Sequence, residues 1–449
     1  MVEQRPFKPL VEGSSPSRVT RSKFHTMKIN ISKLPNNLHV IFADTDAFPS
    51  LTCLLLVGAG SRYEGTKNNG IAHFFEHMAF KGSNKYPNAF ALSSLIEGLG
   101  GEFNAFTDKD YTGYYVKAPS QHFKQVIDVL ADMIQKPLLA KEEIEREKGV
   151  IVQEINMYED TPQRKVFDVF DELVFKGSPL GMSIAGTPRT VSTFTQSTFK
   201  DYINSLYAPN NTVLIISGAI QSHAQYKEVI NKEFHDWEEH LIHEPEKFKM
   251  IQKNPGFSLL YKKSEQAHIC IGYRTFSRFD ERKYTLTVLS AILGRGMSSR
   301  LFIEVRERRG LCYSISTYPD HYNDTGNMIT YAGVSTDVNK VNETVKVIIN
   351  EHEKLTTKLV SEEELRRAKE LIKGRLLLSL EDTFNIAALF GKQVLFERKY
   401  KTVDEILKLI DSVTAEEVKN CAQQVITKSQ LNCAVVGPFK SADSIWKIT

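Results

Sequence analysis

Short apolar runs rich in β-forming residues punctuate the first part of the chain. Residues 38–42, 51–57 and 111–118 read as strands, and residues 71–80 open a helix. From 142 to 160 the pattern is helical, and the apolar run 211–218 reads as a closing strand. Successive β-rich runs followed by a helical block, with no regular strand-helix alternation, predict an α+β fold in which an antiparallel-rich sheet is covered by helices.

The same order then recurs. Glu159-Asp160-Thr161 returns as Glu381-Asp382-Thr383, an offset of 381 − 159 = 222 residues. Leu139-Ala140-Lys141-Glu142-Glu143-Ile144 has a counterpart in Leu359-Val360-Ser361-Glu362-Glu363-Glu364, and Ser61-Arg62-Tyr63-Glu64 has one in Ser277-Arg278-Phe279-Asp280. The strand over 211–218 is answered by 430–437. A repeat this long marks a duplicated domain, because solenoid repeats run about 20–50 residues. The expected organisation is an extension over 1–28, a first domain over 29–240, a polar linker over 241–256 and a homologous second domain over 257–449.

Composition narrows the function classes. Lys and Arg exceed Asp and Glu by 57 − 54 = 3, so the overall charge offers no case for nucleic acid as partner. No apolar run reaches the roughly 18 residues a membrane-spanning helix needs. The five cysteines are scattered singly without a CxxC pair, which predicts buried free thiols in a reducing compartment, hence a cytoplasmic protein. The Pro-, Ser- and basic-rich N-terminus is expected to be poorly ordered; the rival reading is a transit peptide and an organellar matrix.

Candidate chemistry lies in Ile71-Ala72-His73-Phe74-Phe75-Glu76-His77-Met78. Two histidines four apart on one helix face can reach a single ion, and Glu76 on that face is placed as a general base for a zinc-activated water. The order is H-x-x-E-H, inverted relative to H-E-x-x-H. Catalytic zinc normally takes three protein ligands, and the helical segment 142–160 offers Glu147 and Glu154 on one face. Glu154 sits in a largely apolar stretch where a carboxylate needs a cation, so it is the expected third ligand, with Glu147 orienting a histidine or that carboxylate. Surface histidines and helix salt bridges are the competing reading. The repeat argues against it, since the equivalent positions in the second half hold Leu289, Ile292, Leu293 and Leu376.

With that motif, the downstream glutamates and the duplicated half in view, the chain resembles the pitrilysin/insulinase family of zinc peptidases from about Asn30 onward, and is similar in size to its half-length members. The resemblance implies two homologous α+β domains, one zinc per chain, and a clam-shell dimer around a chamber that admits peptides or unfolded segments. It implies that Asn104 and Ala105, in Glu102-Phe103-Asn104-Ala105-Phe106-Thr107, belong to an edge strand that binds substrate main chain. It also implies that Arg306 and Tyr313 grip the substrate and stabilise the oxyanion; Arg308 and Arg309 compete for the gripping role. A homodimer is expected, with a heterodimeric presequence-processing subunit or a non-catalytic core-type structural subunit as alternatives.

Overall fold

A computed structural model describes residues 27–45, 49–249, 251–442 and 445. The expected extension over 1–28 lies outside the described residues as far as residue 26, and the first strand already begins at Lys28. Two sheets organise the chain. The first comprises β1 (Lys28–Lys33), β2 (His39–Asp44), β3 (Ser50–Val57), β4 (Glu102–Thr107), β5 (Thr112–Pro119) and β6 (Thr212–Gly218), in the order β1-β2-β6-β3-β5-β4. The second comprises β7 (Gly256–Tyr261), β8 (Gln266–Thr275), β9 (Cys312–His321), β10 (Gly326–Ser335) and β11 (Asn432–Gly437), in the order β7-β11-β8-β10-β9.

Remove β1 and the two orders superpose strand for strand, which is the duplication written in topology. Each sheet is antiparallel except for one pair, β2 with β6 and β7 with β11, where the chain returns through helices instead of a hairpin. The chain is thus a mixed α/β molecule of two helix-covered sheets.

Strand β3 shows why the apolar runs lack polar alternation. Leu51, Cys53, Leu55 and Val57 face one core while Leu54 and Leu56 face another, so the sheet is buried on both sides. One of those covers comes from the other half. Helix Thr383–Glu397 lies on the first sheet, with Ala387, Val394 and Leu395 packed against Ile41, Leu54, Leu56, Val213 and Ile215. Its repeat partner, helix Pro162–Val174, lies on the second sheet, with Val166, Val169, Phe170 and Val174 against Cys270, Ile329, Ala434 and Val436. The halves therefore exchange a helix. Gly391 permits the close approach, since a Cβ there would stand 2.6 Å from Ile215 Cδ1 and 2.7 Å from Leu56 Cδ1. All five cysteines are buried and free, and no helix among the described residues is long and apolar enough to cross a membrane.

Candidate metal centre

Helix Ile71–Ala79 forms because Ile71, Ala72, Phe74, Phe75, Met78 and Ala79 are buried, which leaves His73, Glu76 and His77 on the remaining face. Gly70 at its N-cap has no side chain to satisfy the first N–H groups. Glu64, upstream and only 2 % exposed, does so instead. Its Oε2 accepts from the Gly70 N–H (2.8 Å) and the Asn69 amide (2.9 Å), and its Oε1 accepts from the Ala72 N–H (2.8 Å). Burial pushes the Glu64 pKa up to about 7 against the pull of those three hydrogen bonds.

Helix Lys141–Glu159 supplies the other groups. Its buried stripe Ile144, Glu147, Ile151 and Ile155 follows helical spacing, so Glu147 points inward and Glu154 emerges beside the histidines. The Nε2 atoms of His73 and His77 lie 3.7 and 3.4 Å from Glu154 Oε2. One ligand atom from each of the three residues falls within 4.8 Å of the others. Donors about 2.0–2.1 Å from a tetrahedral zinc stand roughly 3.3 Å apart, so the three side chains fit that ion.

The surrounding residues fix these donors. His77 Nδ1 is 2.9 Å from Glu147 Oε1, and Lys81 Nζ is 2.5 Å from Glu147 Oε2. Tyr158 donates to Glu154 Oε1 at 2.6 Å. With no metal bound, burial would lower the His77 pKa, but the carboxylates of Glu147 and Glu154 overcome it and push the value up to about 9. Hydrogen bonds from His73 and His77 hold Glu154 far below the usual carboxylate range. The cluster thus carries negative potential that a cation or a proton satisfies. Glu76 is not in the ligand triad; its Oε2 accepts a 2.6 Å hydrogen bond from Thr107 Oγ1, at the end of β4.

Strand β4, which carries Asn104 and Ala105, is the edge of the first sheet. Asn104 is exposed, and its Oδ1 accepts from the Ala105 N–H at 2.8 Å. In the second half the Arg306 guanidinium stacks over the rings of Phe302 (4.8 Å) and Tyr313 (5.3 Å). Arg308 and Arg309 are both tied to Glu304, which separates them from Arg306. Tyr313 is 76 % exposed, and no contact among the described residues joins it or Arg306 to the triad. At the pseudo-equivalent positions Leu289, Ile292 and Leu293 are buried in an apolar core, and Leu376 packs beside Leu380, Ile386 and Phe390.

Four residues around the site have no role assigned from the sequence: Tyr158, Thr107, Lys81 and Glu64. Tyr158, one turn past Glu154, was legible as an i, i+4 neighbour. Thr107 and Lys81 carried no local signal, because both partners are distant in the chain.

The chain is similar to known proteins across most of its length. Residues 39–188 match the family description Insulinase (Peptidase family M16), and residues 193–372 match Peptidase M16 inactive domain. A protein of Bacillus subtilis (strain 168) named as the zinc protease YmxG is 34 % identical over 399 residues, covering 88 % of this chain and 94 % of that one. A zinc protease of Rickettsia felis is 33 % identical over 410 residues, covering 91 % and 97 %. Among solved structures, a protease from Helicobacter pylori superposes with a TM-score of 0.86 at 20 % identity, covering 92 % of this chain and all of that one, a likeness of fold.

Proposed function

The chain belongs to peptidase family M16, the insulinase family, and from that premise we propose that it is a zinc-dependent endopeptidase acting on peptides or unfolded segments. The observation that carries the reading is the convergence of His73, His77 and Glu154 within 4.8 Å, with the Glu76 carboxylate on the same helix face and outside the triad. Zinc, when bound there, supplies Lewis acidity that lowers the pKa of water and polarises a carbonyl.

The remaining work falls to side chains. Glu76 takes the proton of the attacking water and returns it to the leaving amine, and the Thr107 hydroxyl fixes which carboxylate oxygen is free to do so. Glu147 holds His77 by Nδ1, leaving Nε2 for the metal. Substrate adds as a strand beside β4, where edge N–H and C=O groups await partners. Tyr313 donates to the oxyanion and Arg306 grips the chain. We further propose a homodimer enclosing the sites, which gel filtration of the purified chain tests directly.

The decisive experiment is Glu76→Gln. The variant should bind zinc as the parent does while peptide hydrolysis falls by roughly 10²–10⁴-fold. Full activity would remove Glu76 from the scheme.

A further inference from the structure

A second cationic feature lies away from the metal centre. Helix Lys283–Gly294 ends in the turn Gly294-Arg295-Gly296-Met297, and this turn meets Arg375 of helix Glu362–Ser379. Gly296 makes the turn possible: its φ is +97°, and a Cβ there would sit 3.3 Å from Leu371 Cδ2 and 3.8 Å from Arg375 Nη2. Between turn and helix runs a cleft of about 410 Å³, walled by Phe302, Ile315 and Tyr318 and lacking any acidic residue.

Several guanidiniums nearby already have carboxylate partners. Arg300 makes a bidentate pair with Glu364, Arg308 and Arg309 hold Glu304, and Arg282 holds Asp280. Arg295 and Arg375 have no side-chain hydrogen bond or ion pair among the described residues. Burial, then the charge of Arg375, lowers the Arg295 pKa, yet a guanidinium keeps its proton in a protein. Arg295 is partly buried and Arg375 exposed at the cleft's rim; the two cations repel, and an anion placed between them removes that repulsion.

The position indicates where the anion comes from. Ile315, Ser316, Thr317 and Tyr318 belong to β9, the edge of the second sheet and the repeat counterpart of β4. An extended peptide added along β9 would run past Tyr313 at the start of the strand and then over the cleft, whose apolar walls suit the stem of a side chain.

We propose that Arg295 and Arg375 form a carboxylate-binding subsite that takes an acidic side chain or the free C-terminus of a peptide lying along β9. The assignment of a peptide as ligand rests on the peptidase reading. The fork geometry of two arginines favours carboxylate, which each can grip through paired N–H groups.

The test is binding without turnover. Three dye-labelled peptides of one sequence are titrated into the full chain in excess chelator and followed by fluorescence anisotropy. One carries an internal Glu and an amidated end, one carries Gln and an amidated end, and one carries Gln and a free carboxylate. Wild type should bind at least one carboxylate peptide roughly tenfold tighter than the neutral one. The double variant Arg295→Gln/Arg375→Gln should lose that preference, and Arg295→Lys/Arg375→Lys should keep part of it. Which peptide is preferred separates side chain from terminus. Equal binding of all three by wild type overturns the proposal, as does a preference that survives in the Gln variant. A response only to inorganic sulfate, as an Arg-dependent rise in Tm without peptide preference, also overturns it. Because no metal or hydrolysis is involved, an inactive enzyme that still prefers carboxylates would count against the peptidase reading and not against the subsite.

Discussion

Arg62 Nη2 lies 3.0 Å from both carboxylate oxygens of Asp324, 262 residues further along the chain. Arg62 Nη1 also reaches Asp110 at 3.0 Å, and Arg278 binds the other oxygen of Asp110. Arg62 and Arg278 are repeat counterparts. So are Asp110 and Asp324, each two residues ahead of its strand, β5 or β10. The halves are thus bolted together by the same residues used twice.

That network predicts an asymmetry. Asp110 is fully buried between two arginines, whereas Asp324 is partly exposed. Asp110→Asn should cost about 3–5 kcal/mol because it takes the carboxylate from Arg278 and leaves the buried Arg62 only the partly exposed Asp324, and Asp324→Asn about 1–2 kcal/mol because Arg62 keeps the buried Asp110. Urea unfolding of both variants checks the order; equal losses would mean that the network does not behave as drawn.

The exchanged helices predict mutual dependence. Residues 1–249 alone would expose the apolar face of helix Pro162–Val174 and leave one side of the first sheet uncovered. Each half expressed separately should aggregate, and co-expression should yield a soluble complex that elutes together. A monomeric, cooperatively unfolding single half would refute this.

Glu64 caps the histidine helix from outside it. Glu64→Ala leaves the Gly70 and Ala72 N–H groups without their acceptor and the Asn69 amide with only the Ser183 carbonyl. The metal-free protein should lose roughly 2–3 kcal/mol, and zinc should bind roughly 10–100-fold more weakly as the imidazoles lose their fixed spacing. Thermal unfolding in chelator and a zinc competition assay read the two effects separately. An unchanged Tm in chelator would show that the cap contributes nothing.

Two partly buried carboxyls, Asp171 and Asp320, predict a pH effect of definite sign. Burial, opposed by Lys109 and reinforced by Asp168, pushes Asp171 up to about 6. Burial, then the charges of Asp171 and Asp108, pushes Asp320 up to about 7. Both exceed the usual 3.8, so between pH about 4 and 7 the folded chain keeps protons that the unfolded chain has released. Their contribution to stability therefore falls as pH rises through that window, by at most about 1.4 kcal/mol per unit for each group, and levels off above it. Asp171→Asn/Asp320→Asn should flatten this fall relative to the parent in urea midpoints taken from pH 5 to 8. Parallel curves for parent and variant would rule these two groups out.

Much of the site was legible because its signals are local. The spacing of His73, Glu76 and His77 places them on one face of any helix they occupy, and Glu147 and Glu154 share a face for the same reason. The contrast with Leu289, Ile292, Leu293 and Leu376 needed only the repeat. What local spacing could not supply was Thr107 on Glu76, Lys81 on Glu147, and Glu64 beneath the helix start, since none of these lies within one helical turn of its partner.

Legible in the chain before any folding were the duplication, the central strands and the two site-bearing helices of the first half, and the residue types gathered for a metal, because periodicity and spacing act over a few residues. Tertiary structure alone decided that the two halves trade helices, that Arg62 reaches Asp324, and that Glu154 comes within 3.4 Å of His77. Those outcomes depend on how two buried sheets share their covers. That is a matter of packing surfaces far apart in the chain, which no local pattern encodes.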